Sequence, residues 1–150
     1  MTLTSKTHTL LLATALLVAS PAPRVVAAAP DSAAGTVSIT VTYMGQGTVD
    51  DNHRLWIWLF DSPEIGPGSM PIREAFVATS GASTTIEGLS DGPVWIAVAY
   101  DARGGSPGNQ PPASGSPLGI HAGSDGRPAA VSTTSGVAVT IRFDDSQRMP

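Results

Sequence analysis

Thr36-Val37-Ser38-Ile39-Thr40-Val41-Thr42-Tyr43 alternates without a break. Val37, Ile39, Val41 and Tyr43 fall on one side of an extended chain, and Ser38, Thr40 and Thr42 on the other. This is the two-residue period of a strand that buries one face. After it, Met44 to His53 carries Gly45, Gly47, Asp50, Asp51 and Asn52, a run of turn formers. Leu55-Trp56-Ile57-Trp58-Leu59-Phe60 has no polar face, as expected of a central strand covered on both sides.

The same reading extends to the C-terminus. Asp61 to Pro71, with three prolines and two glycines, forms a loop. Glu74 to Thr79 and Thr84 to Leu89 are short strand candidates. Ser90-Asp91-Gly92-Pro93 turns the chain into Val94 to Tyr100, where Val94, Ile96, Val98 and Tyr100 oppose Trp95, Ala97 and Ala99. The small alanines suggest close packing against a second layer. Asp101 to Pro117 is a long loop, Leu118 to Ala122 a short edge strand, Ser124 to Pro128 a turn, and Val137 to Phe143 the closing strand. No segment after residue 28 has ten residues of helical period free of glycine and proline. Six or seven short strands at this spacing predict an all-β protein, a single antiparallel Greek-key β-sandwich over residues 36–145.

The N-terminal thirty residues read differently. Lys6 precedes the apolar run Leu10 to Ala19, which is shorter than the ~20 residues a membrane span requires. Small residues at Val26 to Ala29 fit a peptidase site, so residues 1–28 are expected to be a secretory signal and 29–35 a flexible lead. The protein is thus expected outside the cytoplasm, in the periplasm or the medium, without membrane insertion after cleavage. Residues 29–150 carry six arginines and no lysine against twelve carboxylates, a formal charge of −6, which argues against nucleic acid as a partner. The sequence has no cysteine. Export permits disulfides, so stability here rests on packing and sheet hydrogen bonds, and thiol chemistry is excluded.

Thr85-Ile86-Glu87-Gly88-Leu89-Ser90-Asp91-Gly92-Pro93-Val94-Trp95-Ile96-Ala97-Val98-Ala99-Tyr100-Asp101 resembles the "strand, Gly-Leu-x-x-Gly, strand, Asp" signature of transthyretin-like domains, found in carboxypeptidase regulatory regions and in small exported bacterial proteins. Leu59-Phe60-Asp61 and Phe143-Asp144-Asp145-Ser146 fit the same pattern. The resemblance implies a transthyretin-like sandwich and little about activity. In many such domains the Asp after the second core strand opens an acidic, asparagine-rich loop. Here Asp101 is followed by Ala102-Arg103-Gly104-Gly105, and no metal role is carried over.

Candidate sites are few. Gly104-Gly105-Ser106-Pro107-Gly108 matches a nucleophile-elbow pattern, but Pro107, Pro111 and Pro112 forbid the helix an elbow needs. His53 and His121 lie in or beside turns, where exposed polar residues are the ordinary reading. Asp61, Asp101, Asp125, Asp144 and Asp145 fall at strand ends without calcium-ligand spacing. Trp56, Trp58 and Phe60 share one face of their strand, either an aromatic platform for a sugar or a partner, or core; apolar character on both faces favours core. The loop 101–117, with Arg103, Asn109 and Gln110, is the best place for recognition, since a rigid sandwich commonly carries function on its loops. Residues 146–150 read as a tail that frays or caps the sandwich end. The expected function is a non-catalytic module, with no cofactor and no metal, that binds a protein or glycan through this loop, helped by Trp56 and Trp58. The alternatives are a calcium-stabilised structural domain and a small hydrolase using a His/Asp pair.

Overall fold

The computed structural model describes residues 35–105, 110–134 and 136–150. The expected signal 1–28, the lead up to residue 34, and Asn109 lie outside the described residues. The described chain is all β, with eight strands and no helix: β1 Gly35–Tyr43, β2 Leu55–Phe60, β3 Arg73–Val77, β4 Ser83–Leu89, β5 Pro93–Tyr100, β6 Leu118–Ile120, β7 Val131–Ser132 and β8 Val137–Phe143. They form a three-stranded sheet, ordered β4-β1-β8, and a five-stranded sheet, ordered β3-β2-β5-β6 with β7 also on β5.

Two expectations are corrected. The strand count is eight rather than six or seven, because β7 is two residues long, too short to show a period. The sheets are not wholly antiparallel, for β1 and β8 pair in parallel from Val37↔Val137 to Tyr43↔Phe143. The chain leaves β7 and crosses between the sheets at Thr133, whose carbonyl accepts from Thr36 N at 3.2 Å. The last strand therefore enters at the end where β1 begins and runs the same way. Alternation is blind to strand direction.

The inward residues of both sheets meet in one core. Val37, Ile39 and Val41 of β1, Leu55, Ile57 and Leu59 of β2, and Ile96 and Val98 of β5 are all fully buried there. Each such aliphatic contributes roughly 1.5–3 kcal/mol relative to exposure. The polar side of β1 faces outward, where Ser38 Oγ meets Thr85 Oγ1 at 3.0 Å and Thr40 Oγ1 meets Ser83 Oγ at 2.6 Å.

A second cluster covers the outer face of the five-stranded sheet. Trp56, Trp58 and Phe60 pack there with Ala97 and Ala99, and with Ile65, Leu118, Ile120 and Met149 around them. The register sets Trp56 opposite Ala99 and Trp58 opposite Ala97. The alanines thus leave room for the indoles of the neighbouring strand, rather than for a second layer.

One end of the sandwich is closed by aromatic rings. Tyr43 and Tyr100 stack with centroids 4.3 Å apart, and Phe143 lies 5.1 Å from Tyr43. The 44–54 connection passes directly over them. A Cβ at Gly47, where φ is +134°, would come within 2.5 Å of the Tyr100 hydroxyl, so the crossing requires glycine.

Candidate binding surface

Three segments converge at this end: 44–54, 101–117 and 144–150. The long loop is anchored at both sides. On one side Asp101 N donates to Arg54 O at 3.0 Å and Gly105 N to Asn52 O at 2.7 Å. On the other, Gly115 N donates to Met149 O at 3.0 Å, Met149 N to Ser116 O at 2.8 Å, and Arg148 Nη1 to Gly115 O at 2.9 Å. The tail therefore caps the sandwich, the second of the two readings made from sequence. Arg103 and Gln110 are exposed between these anchors. Asn109, the third predicted loop residue, lies outside the described residues.

Trp56 and Trp58 are corrected as binding residues. They are only 2% and 7% exposed, closed over by Ile65 from the 61–72 connection and Met149 from the tail. They form core on the outer face of the sheet. The Trp56 Nε1 is buried and has no hydrogen-bond partner among the described residues.

His53 and His121 stand on opposite sides of β5, the first leading into β2 and the second following β6, so no chemistry unites them. His53 Nδ1 lies 3.0 Å from Asp50 Oδ1. That oxygen also accepts from Asn52 N at 2.9 Å and His53 N at 2.8 Å, which makes Asp50 the organiser of its turn. These bonds, the backbone one from His53 first, hold the Asp50 carboxyl below the usual carboxylate range. The far side of the imidazole faces backbone: a Cβ at Gly104 would come within 2.7 Å of Nε2. The pair thus packs against the 101–105 segment of the loop, and among the described residues it faces no nucleophile there.

Asp101, almost fully buried at the loop's start, accepts from Gly104 N at 3.1 Å. Asp145 is held by Tyr43 Oη at 2.6 Å and Gln46 N at 2.7 Å. Among the described residues no group of three or more His, Asp or Glu gathers as a metal site. An open groove of about 280 Å³ lies between β6 and β8, with Met44 and Ile120 as apolar walls and Arg142, Asp144 and Gln147 among its polar ones. Among the described residues no helix is long and apolar enough to cross a membrane.

Sequence reading missed a second surface. Met70, Ile72 and Phe76 are 81%, 38% and 49% exposed and lie on β3 and the residues leading into it. The Arg54 guanidinium lies 4.4 Å from the centre of the Phe76 ring, and Trp56 lies 6.0 Å behind it. The five residues of β3 are too few to separate one exposed apolar face from a buried one.

Fold and surface together define an all-β, two-sheet domain with its long loop scaffolded at one end. No protein-family model matches the chain, and no curated protein matches it. Among solved structures it is similar to a pilus-presented adhesin, Spy0125 (Cpa), at 12% identity and a TM-score of 0.35, over 79% of this chain and 28% of that one. The chain thus spans less than a third of the adhesin's length.

Proposed function

We propose that this chain is an exported, non-catalytic binding module of transthyretin-like, Greek-key build, which presents the 101–117 loop to a protein or glycan partner in the periplasm or the medium. The observation that carries the reading is the double anchoring of the loop, to the 52–54 segment on one side and to the tail on the other. A long connection held at both ends by backbone hydrogen bonds suits display of a few side chains at fixed positions. Arg103 offers a planar cationic donor and Gln110 an amide, chemistry that serves a peptide backbone or sugar hydroxyls alike.

The test is an array of glycans and extracellular proteins probed with the purified chain. At least one probe is expected to bind, and Arg103→Ala with Gln110→Ala to weaken it about tenfold or more, with no change in melting temperature. Binding unaffected by the double substitution removes the loop from the reading. Turnover of a bound probe removes the non-catalytic assignment.

A further inference from the structure

We propose that two copies of this chain associate through their β3 strands, paired antiparallel about Ala75, so that two five-stranded sheets join into one continuous sheet. β3 is the terminal strand of its sheet, and among the described residues no strand pairs with its outer edge. An open edge of this kind is a ready template for another strand. Among the described residues, three of the four exposed large hydrophobics, Met70, Ile72 and Phe76, lie on β3 and its lead-in.

What selects a second copy as the occupant is charge complementarity. In an antiparallel pair with a two-fold axis normal to the sheet, residues of like parity face each other, which keeps the buried face of one copy continuous with that of the other. Centring the pair on Ala75 sets Glu74 opposite Phe76 of the other copy. The register on β2 places both residues on the outer face, opposite Trp58 and Trp56. Over Phe76 lies the Arg54 guanidinium, 4.4 Å from the ring centre, whose Nε donates to Asp51 O. Glu74 is exposed and has no ion-pair partner among the described residues. Pairing therefore brings each Glu74 carboxylate to the other copy's Arg54, twice by symmetry.

Neighbouring registers fail this test. Centring on Glu74 opposes two carboxylates, and centring on Phe76 sets Glu74 opposite Ala78, away from the other copy's Arg54. The remaining charge on the strand does not guard the edge, because Arg73 turns back to donate to Ile72 O at 2.8 Å and Gly88 O at 3.1 Å within its own chain.

The experiment uses sedimentation velocity and cysteine crosslinking on the purified chain. Wild type is expected to dimerise as concentration rises. Glu74→Arg or Arg54→Glu alone weakens the dimer about tenfold or more, and the two together restore it, as complementary interfacial charges require. The chain has no cysteine, so Ala75→Cys reports cleanly. Residues facing themselves across an antiparallel pair have Cα atoms ~4.5–5.5 Å apart, within the ~4.4–6.8 Å a disulfide spans. A75C is expected to form a covalent dimer under mild oxidation, and Ser38→Cys on the other sheet is not. A chain that stays monomeric at every concentration overturns the proposal, as does a dimer that ignores the charge swap and leaves A75C uncrosslinked. Both readouts are independent of any partner at the 101–117 loop.

Discussion

The Tyr43 hydroxyl donates to Asp145 Oδ1 at 2.6 Å and ties the end of the first strand to the second residue past the last. Gln46 N donates to the other carboxylate oxygen at 2.7 Å, so one side chain fastens β1, the loop over the tyrosine stack, and the C-terminal segment. The Tyr43 bond first, then the Gln46 bond, hold the Asp145 carboxyl below its ordinary range. Burial first, then the same carboxylate, push the Tyr43 phenol well above its ordinary range.

Stability should therefore fall on both flanks of pH. A carboxyl depressed in the native state stabilises fully above its unfolded value, about 3.9, and that contribution is lost as pH falls through the lower native value. A phenol raised in the native state stabilises fully below its unfolded value, about 10, and that contribution is lost as pH rises beyond it. Melting temperature against pH is expected to show both declines in wild type. Tyr43→Phe should reduce the alkaline decline, the remainder belonging to the Tyr100 phenol that burial also raises, and shrink the acid one, and Asp145→Asn should shrink the acid one. Curves that superimpose on wild type would show that the latch contributes nothing.

The buried indoles give a spectroscopic expectation. Trp56 and Trp58 are closed over, while Trp95 is half-buried. Emission should be blue and largely protected from a neutral quencher, with an accessible fraction that disappears in Trp95→Phe. Because Trp56 carries a buried N–H without a partner among the described residues, Trp56→Phe removes a desolvation penalty along with the packing it loses. It should cost less stability than Trp58→Phe, by about 1–2 kcal/mol in urea unfolding. A red, fully quenchable spectrum would place these side chains in water and undo the outer-face core.

The contrast between these residues shows what was legible in the sequence. The unbroken apolar run of β2 reads directly as a strand covered on both faces. What covers its outer face does not, since Ile65 belongs to a segment that proline and glycine mark as loop, and Met149 to one that reads as tail. Period two likewise places Val137 to Phe143 in a strand yet cannot tell that it runs parallel to β1. The 101–117 loop is visible as composition, and Arg103 and Gln110 are exposed on it. The strip of Met70, Ile72 and Phe76 is not legible in this way, because exposure of an edge depends on which strand ends the sheet.

Thr133 is the residue least visible to pattern and the most informative to change. It is 1% exposed, and its hydroxyl lies 2.9 Å from Ser90 O and 3.0 Å from Gly92 O. Those carbonyls belong to the turn between β4 and β5, while the Thr133 carbonyl accepts from Thr36 N at the start of β1. One threonine thus fixes the crossover that makes β8 parallel to β1 to the turn that links the two sheets. Thr133→Val keeps the shape and removes the hydroxyl, leaving the part-buried carbonyls of Ser90 and Gly92 without that donor, a loss of about 1–3 kcal/mol. Thr133→Ser keeps the hydroxyl and loses one methyl, about 1 kcal/mol. Urea unfolding is expected to rank the midpoints wild type, Ser, Val, with unchanged slopes, since the surface exposed on unfolding is the same. A valine variant as stable as wild type would show that packing alone holds the crossover.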